Sequence, residues 1–160
     1  MIPDFKVLLT ALAREQVDFV IVGGIALVLH GSARITRDLD ICYSRQGVNV
    51  MRLARALRPF EPTLRGAPPT LPFTLDRETL QSGLNFTLTT SAGDIDLLGE
   101  ITGIGTYPLV ARFAQDLELF DQPVKVLSLE GLERAKRAAG RLKDLADLED
   151  ILELRRQSGE

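Results

Sequence analysis

The stretch VGGIALVLHGSARITRDLDI, residues 22–41, contains the features that decide the fold. It begins at the end of a β-branched and aromatic run, residues 17–22, which predicts a strand that stops at a turn formed by Gly23-Gly24. The apolar residues 25–30 predict a short buried helix after that turn. Polar and apolar side chains then alternate over residues 38–43, which predicts a second strand. The stretch therefore predicts a strand, glycine turn, helix and strand in succession.

Outward from this unit, the chain alternates helical patterns with short strands. Amphipathic spacing predicts a helix in the first segment, around residues 5–13, and another over residues 48–57. Turn-forming residues between short apolar runs predict two antiparallel hairpins, formed by residues 84–89 with 95–98 and by residues 117–120 with 124–127. Prolines and glycines interrupt residues 59–72, which predicts a loop.

The end of the chain is helical in pattern. Ser128 is suited to cap a helix, and Gly140 divides the remaining residues into two amphipathic segments. The sequence thus predicts an α+β fold in a single domain, residues 1–160, with a small mixed sheet and packed helices in 1–127 and a C-terminal helical pair in 128–160. We expect that pair to close a metal-binding cleft at the edge of the sheet.

Composition limits the chemistry and indicates a cytoplasmic protein. A net charge of -3 argues against a protein coated in nucleic acid, and no apolar run is long enough to cross a membrane. Because Cys42 is the only cysteine, one chain can build neither a disulfide nor a cysteine zinc site. A single histidine, His30, disfavours histidine-zinc chemistry, so carboxylates are left to carry the function.

Two carboxylates in the second strand are the first candidates. Asp38 and Asp40 lie two residues apart, so their side chains project from the same face of a strand. Mg²⁺ binds one or two carboxylates and leaves its other positions to water and phosphate oxygens. An isolated Asp-x-Asp also occurs at strand ends for solubility alone, so this pair needs supporting residues.

Asp96 and Gly23-Gly24 provide that support. Asp96 lies between Ile95 and Leu97 in a predicted strand. A charged side chain is costly among apolar neighbours unless it is paired, and a bound metal ion would pair it. Asp94 fits a turn residue better because it follows Gly93. A glycine turn before a helix exposes backbone N–H groups to an anionic phosphate. We therefore predict Asp38, Asp40 and Asp96 as metal ligands and Gly23 and Gly24 as a phosphate-binding turn.

These motifs together resemble a known family. Val22-Gly23-Gly24, a spacer of thirteen residues and Asp38-Leu39-Asp40-Ile41 are similar to the signature of the polymerase-beta-type nucleotidyltransferase superfamily. Residues 22–41 as a whole resemble the abortive-infection nucleotidyltransferases, the AbiEii and MenT-like proteins. Asp96 matches the third acid, and AKRAAGRLKDLADLEDIL, residues 135–152, looks like the lysine and acid helix of that family.

The resemblance implies transfer of a nucleoside monophosphate from a triphosphate to an acceptor hydroxyl. Asp38 and Asp40 would hold two Mg²⁺ ions, or Mn²⁺, Asp96 would complete the second site or take the proton, and Lys143 would contact the triphosphate. The implied acceptor is RNA, such as tRNA, or a protein, and the chain would then be the toxin of a toxin–antitoxin pair with a cognate antitoxin. The sequence leaves open a homodimer, a small-molecule transferase of the aminoglycoside type, and a non-catalytic relative that binds a nucleotide or partner.

Basic residues near the C-terminus have two interpretations. Lys136, Arg137, Arg141 and Lys143 can form a phosphate-facing patch. Their interleaving with acidic residues is more typical of a solvated helix face with ion pairs four residues apart.

Overall fold

The computed structural model describes residues 4–68 and 70–160. A seven-stranded mixed sheet forms its centre, and a small two-stranded ribbon lies apart from it. The strands are β1 (Phe19–Val22), β2 (Asp38–Tyr43), β3 (Thr63–Leu64), β4 (Phe86–Thr90), β5 (Gly93–Leu98), β6 (Glu100–Ile101), β7 (Gly105–Thr106), β8 (Ala114–Leu119) and β9 (Gln122–Leu127).

Seven α-helices accompany the sheet in the described residues. They are α1 (Phe5–Arg14), α2 (Gly23–Leu29), α3 (Gly47–Leu57), α4 (Arg77–Ser82), α5 (Tyr107–Arg112), α6 (Leu129–Ala139) and α7 (Leu142–Gln157). The last two form the expected C-terminal pair, and the Ser128 hydroxyl accepts a hydrogen bond from the Gly131 N–H at the start of α6. Gly140 ends that helix in the left-handed conformation. The predicted α+β class, with helices packed on a mixed sheet, is confirmed.

The order of the strands positions the acids. In the large sheet the order is β3-β4-β5-β2-β1-β9-β8, with β2 parallel to β5 and antiparallel to β1. The acidic strands β2 and β5 are therefore neighbours in the interior of the sheet. The expected position of the cleft at the edge of the sheet is wrong, because β4 and β3 extend the sheet beyond β5.

Both predicted hairpins are present. Strand β4 pairs with β5, and β8 pairs with β9, each in antiparallel register. The interrupted segment 59–72 contains more order than expected, since a 3-10 turn over Arg58–Phe60 leads into β3. Strand β3 is only two residues long, too short for a periodic pattern in the sequence to predict it. It forms by pairing with β4, which is a tertiary contact.

Alternation along the central strands separates a core face from an acidic face. Leu39, Ile41, Ile95 and Leu97 are completely buried, while the aspartates between them project from the opposite face. The core extends into the C-terminal helices through the buried Ile151 and Leu132. Across the described ranges, no helix combines the length and apolarity required to span a bilayer.

Candidate active site

The parallel pairing of β2 with β5 brings four aspartates together. Asp38 lies opposite Asp94 in the register, and Asp40 lies opposite Asp96. Since residues two apart share one face of a strand, all four carboxylates project from the same face. One carboxylate oxygen each from Asp38, Asp40 and Asp96 lie within 4.8 Å of one another. The structure thus brings together the three acids predicted as metal ligands.

Asp40 is the acid most strongly affected by this arrangement. Burial, followed by the like charges of Asp96 and Asp38, raises the pKa of Asp40 from 3.8 to about 7. Its Oδ1 atom is buried and has no hydrogen-bond partner among the described residues. A buried carboxylate oxygen without a donor is costly unless a proton or a cation satisfies it. Asp40 is therefore suited to bind a cation.

Gly23 permits the close approach of this acid to the glycine turn. Its backbone has φ +67°, a conformation that side chains disfavour, and a Cβ atom there would lie only 2.2 Å from Oδ2 of Asp40. A Cβ on Gly24 would lie 2.8 Å from the Thr36 hydroxyl, which donates to the backbone carbonyl of Asp38 at 3.3 Å. A side chain at either glycine would therefore displace Asp40 or Thr36. Helix α2 begins at Gly23 rather than after the pair.

Arg65, which the sequence analysis did not single out, faces the acids from the residue after β3. Its Nη2 donates to Asp96 Oδ1 at 2.8 Å and to the Leu88 carbonyl at 2.7 Å. Its Nε lies 3.3 Å from Asp94 Oδ2, and its Nη1 lies 3.9 Å from Asp38 Oδ2. The interpretation of Asp94 as a turn residue is wrong, because pairing with Asp38 extends β5 through it.

A polar cavity of about 350 Å³ opens beside the glycine turn. Gly23, Gly24, Asp38 and Asp40 form one side of it. The rest of the wall includes Asp144 and Asp147 of α7 and four basic side chains. The basic side chains are Arg34, Lys136, Arg141 and Lys143. Lys143 is exposed, while Lys136 is partly buried. The cavity therefore places positive charge next to the acidic cluster.

The acids of α7 hold several of these cations. Lys136 Nζ lies 2.9 Å from Asp147 and 3.2 Å from Asp144, and Arg34 reaches Asp147 at 2.6 Å. These pairs join α7 to α6 and to the loop before β2. Arg137, in contrast, is exposed and pairs with Glu133 four residues away, as the interpretation of a solvated helix face predicts. Burial acts to raise the pKa of Asp147, but hydrogen bonds from Lys136 and Arg34 outweigh it and hold the pKa below its usual range.

A second cavity, of about 280 Å³, also borders Asp40. It shares Gly23, Asp40, Lys136 and Arg141 with the polar cavity. Its remaining wall is mixed. The polar side chains are Asn85, Glu100 and Thr102, and the larger apolar ones are Val22, Leu98, Ile101, Leu127 and Leu132. Asp40 therefore lines both cavities, one of them charged and the other of mixed polarity.

The lone histidine and cysteine have structural positions. His30 Nε2 lies 2.8 Å from the Leu127 carbonyl, which joins the end of α2 to the end of β9. Cys42 is completely buried, and burial raises the pKa of its thiol to about 12. A thiol with such a pKa is neutral at physiological pH, so Cys42 does not compete with the carboxylates for a catalytic role.

No protein-family model matches the sequence, and no curated protein does either. Solved structures are nevertheless similar in fold. The lincosamide antibiotic adenylyltransferase LnuA, solved with lincomycin bound, is 16% identical, with a TM-score of 0.61 over 96% of this chain and 98% of LnuA. ANT(2″)-Ia, solved in complex with adenylyl-2″-tobramycin, is 13% identical, with a TM-score of 0.58 over 92% of this chain and 84% of its own.

TM1012 from Thermotoga maritima, a proposed nucleotidyltransferase, is 18% identical, with a TM-score of 0.57 over 93% of this chain and 89% of its own. At these identities the likeness establishes a shared nucleotidyltransferase fold. The narrower resemblance to AbiEii and MenT-like proteins stays a prediction.

Proposed function

We propose that this chain is a metal-dependent nucleotidyltransferase that moves a nucleoside monophosphate from a triphosphate to an acceptor hydroxyl. The observation that carries the proposal is the convergence of Asp38, Asp40 and Asp96. Asp38 and Asp40 also line, with Gly23, a cavity that contains four basic side chains. Carboxylates for a cation and basic groups for phosphates are the two elements that phosphoryl-type transfer requires. The nucleotidyltransferase fold supports the same reaction class.

The acidic cluster fits a hard divalent cation. Three carboxylate oxygens lie within 4.8 Å of one another, and the buried Oδ1 of Asp40 lacks a donor among the described residues. Oxygen ligands of this kind suit Mg²⁺, with Mn²⁺ as the alternative. When bound, such cations neutralise the triphosphate and polarise the attacking oxygen. The family resemblance assigns two of them to Asp38, Asp40 and Asp96.

The polar cavity is the proposed triphosphate site. Gly23 and Gly24 form a wall without side chains, which lets phosphate oxygens approach the backbone. Lys143 is exposed on the opposite side and can turn toward the phosphates without breaking an ion pair of the described structure. Lys136 is a second candidate, already oriented into the cavity by Asp144 and Asp147. Both would counter the charge of the leaving pyrophosphate.

The reaction balances with groups of this site. The acceptor oxygen bonds to the α-phosphorus, the bond from that phosphorus to the bridging oxygen breaks, and pyrophosphate leaves. As the family resemblance implies, we assign Asp96 to take the proton of the acceptor hydroxyl. Retention of all three acids in this chain supports catalysis over the non-catalytic alternative.

Two acceptor classes remain as proposals. The resemblance to AbiEii and MenT-like proteins supports RNA, such as tRNA, or a protein, with a cognate antitoxin as partner. The cavity of mixed polarity beside Asp40 supports a small hydroxylated molecule instead, since its volume of about 280 Å³ is near the lower limit of small-molecule sites. LnuA and ANT(2″)-Ia, which carry antibiotics in their structures, are consistent with the second class. A homodimer would be needed where the acceptor exceeds this cavity.

Thermal unfolding with Mg²⁺ and each ribonucleoside triphosphate tests the reaction class without knowledge of the acceptor. A ligand at a hundred times its dissociation constant stabilises the native state by about 2.7 kcal/mol. We expect a Mg²⁺-dependent rise in Tm that the Asp38→Ala/Asp40→Ala variant lacks. A folded protein whose Tm responds to no triphosphate would contradict the proposal.

The acceptor is tested with the triphosphate that stabilises most, labelled at the α-phosphate. Transfer of label to total RNA or to a protein would support the toxin proposal. Transfer to a lincosamide or aminoglycoside would support the small-molecule proposal.

A further inference from the structure

Arg65 is held in place by more than its charge. Its backbone N–H donates to the Thr87 carbonyl at 2.9 Å, and its Nη2 donates to the Leu88 carbonyl at 2.7 Å. Both acceptors belong to β4, the strand next to β5. The side chain is only 29% exposed. These bonds anchor the guanidinium beside the acidic cluster at both ends of the residue.

The guanidinium of Arg65 lies at different distances from the four carboxylates. Its nitrogens lie 2.8 Å from Asp96, 3.3 Å from Asp94 and 3.9 Å from Asp38. Within the described part of the chain, Asp40 forms no ion pair with Arg65 within 4.0 Å, and its Oδ1 stays without a donor. Positive charge is thus concentrated on the β5 pair, and the β2 pair keeps its unsatisfied oxygen.

We propose that Arg65 is the resident cation of the acidic cluster, which neutralises Asp96 and leaves Asp38 and Asp40 to hold a single divalent cation in the nucleotide-free protein. The inference rests on the proposed function in assigning a metal to these acids. It differs from the expectation of two ions, because a fixed guanidinium takes over the neutralisation of Asp96. Arg65 would be a positioning residue that sets the metal stoichiometry.

The physical basis is electrostatic. Arginine stays charged at any accessible pH, so its repulsion of a second cation near Asp96 cannot be relieved by loss of a proton. Two cations about 4 Å apart in a partly buried site repel strongly, because the surrounding dielectric screens them less than water does. The anchoring to β4 also prevents Arg65 from leaving the site by a simple rotation. A second ion would therefore bind weakly while Arg65 is present.

Titration of the metal-free protein with Mn²⁺ tests this inference. Isothermal calorimetry, with electron paramagnetic resonance to count unbound Mn²⁺, gives stoichiometry and affinity for the wild type and for Arg65→Gln. We expect one tight Mn²⁺ in the wild type, and in Arg65→Gln a second ion that binds at least tenfold more tightly than any second ion of the wild type. Arg65→Lys keeps the charge and should retain the wild-type stoichiometry.

Controls separate this inference from the proposed function. Arg55→Gln removes an arginine whose partner is Glu15, and it should leave the isotherm unchanged. Asp40→Asn should abolish tight binding.

Two ions of similar affinity in the wild type would overturn the inference and leave the proposed function intact. A Mn²⁺ isotherm of Arg65→Gln equal to that of the wild type would also overturn it. No Mn²⁺ binding by the wild type would overturn both the inference and the proposed metal site. If Arg65→Gln fails to fold, the number of Mn²⁺ ions bound by the wild type can still overturn the inference.

Discussion

Gly23 shows how a single residue can couple the glycine turn to the acids. Its missing side chain leaves room for the Asp40 carboxylate, since a Cβ atom would lie 2.2 Å from Oδ2. We predict that Gly23→Ala displaces Asp40 and weakens binding of Mn²⁺ at least tenfold, measured by calorimetry. The left-handed backbone adds a cost of about 1–2 kcal/mol in the free energy of unfolding.

Gly66 provides a matched control for that substitution. It also has a positive φ, +80°, but a Cβ there meets nothing within 4 Å. Gly66→Ala should therefore show the backbone cost without the loss of metal binding. Equal Mn²⁺ affinity in the two variants would mean that the space beside Asp40 is unimportant.

Asp40 makes the stability of the metal-free protein depend on pH. Its pKa is about 7 in the folded state and 3.8 in the reference state, so the folded protein binds the extra proton between these values. Stability should therefore fall as pH rises from about 4 to about 7, by a free energy on the order of 4 kcal/mol, and then level off. Urea unfolding in the presence of EDTA at pH 5 and pH 8 measures the part of this fall that lies above pH 5, about 2.7 kcal/mol.

Asp40→Asn is the corresponding test variant. The amide cannot ionise, so the loss of stability across this pH range should shrink, and the variant should exceed the wild type in stability at pH 8 without divalent cations. An unchanged pH dependence in Asp40→Asn would assign the titration to another group.

At the scale of elements, the acidic strands were predictable and their counter-ion was not. Asp38 and Asp40 stand in a period-two pattern that is visible in six residues, and β2 spans the predicted 38–43. Arg65 lies in a segment rich in prolines and glycines. It is placed next to Asp96 only by the pairing of β3 with β4. That pairing is a long-range contact, which local sequence patterns do not encode. The one available signal was charge balance, since four aspartates on one face require a cation.

Helix α7 acts on the site through its acids. Asp147 bridges Lys136 of α6 and Arg34 of the loop before β2. Because the bridge is partly buried, Asp147→Ala should lower the free energy of unfolding by about 1–3 kcal/mol. It should also increase amide hydrogen exchange in residues 32–37, measured by mass spectrometry.

Glu149 lies on the same helix and is exposed, so Glu149→Ala is the control and should change stability by less than about 0.5 kcal/mol. If both variants exchange alike in residues 32–37, α7 does not order that loop.

At the scale of the whole molecule, the parts of the site come from distant places in the sequence. The glycine turn and two acids lie in the first quarter of the chain, Asp96 lies beyond the middle, and the basic wall of the polar cavity comes largely from α6 and α7. The pattern of residues 22–41 predicted the glycine turn and the two acids of β2. It did not predict how the C-terminal helices pack to complete the cavity. A site assembled in this way depends on that pair being part of the same cooperative fold as the sheet.

We therefore predict that the chain unfolds in one transition. Ile151 of α7 is completely buried in the same hydrophobic cluster as the central strands. Ile151→Ala should destabilise the entire protein by about 2–5 kcal/mol, since it leaves a cavity in that shared core. Leu142 begins the same helix but is 87% exposed, so Leu142→Ala should have little effect.

Urea unfolding followed by helical circular dichroism and by tyrosine fluorescence gives two curves for each variant. Coincident curves that shift together in Ile151→Ala would establish one cooperative unit, because separate domains would respond separately. A helical signal lost at lower urea than the tyrosine signal would instead make residues 128–160 an independently unfolding unit, and the triphosphate cavity would then open before the sheet unfolds.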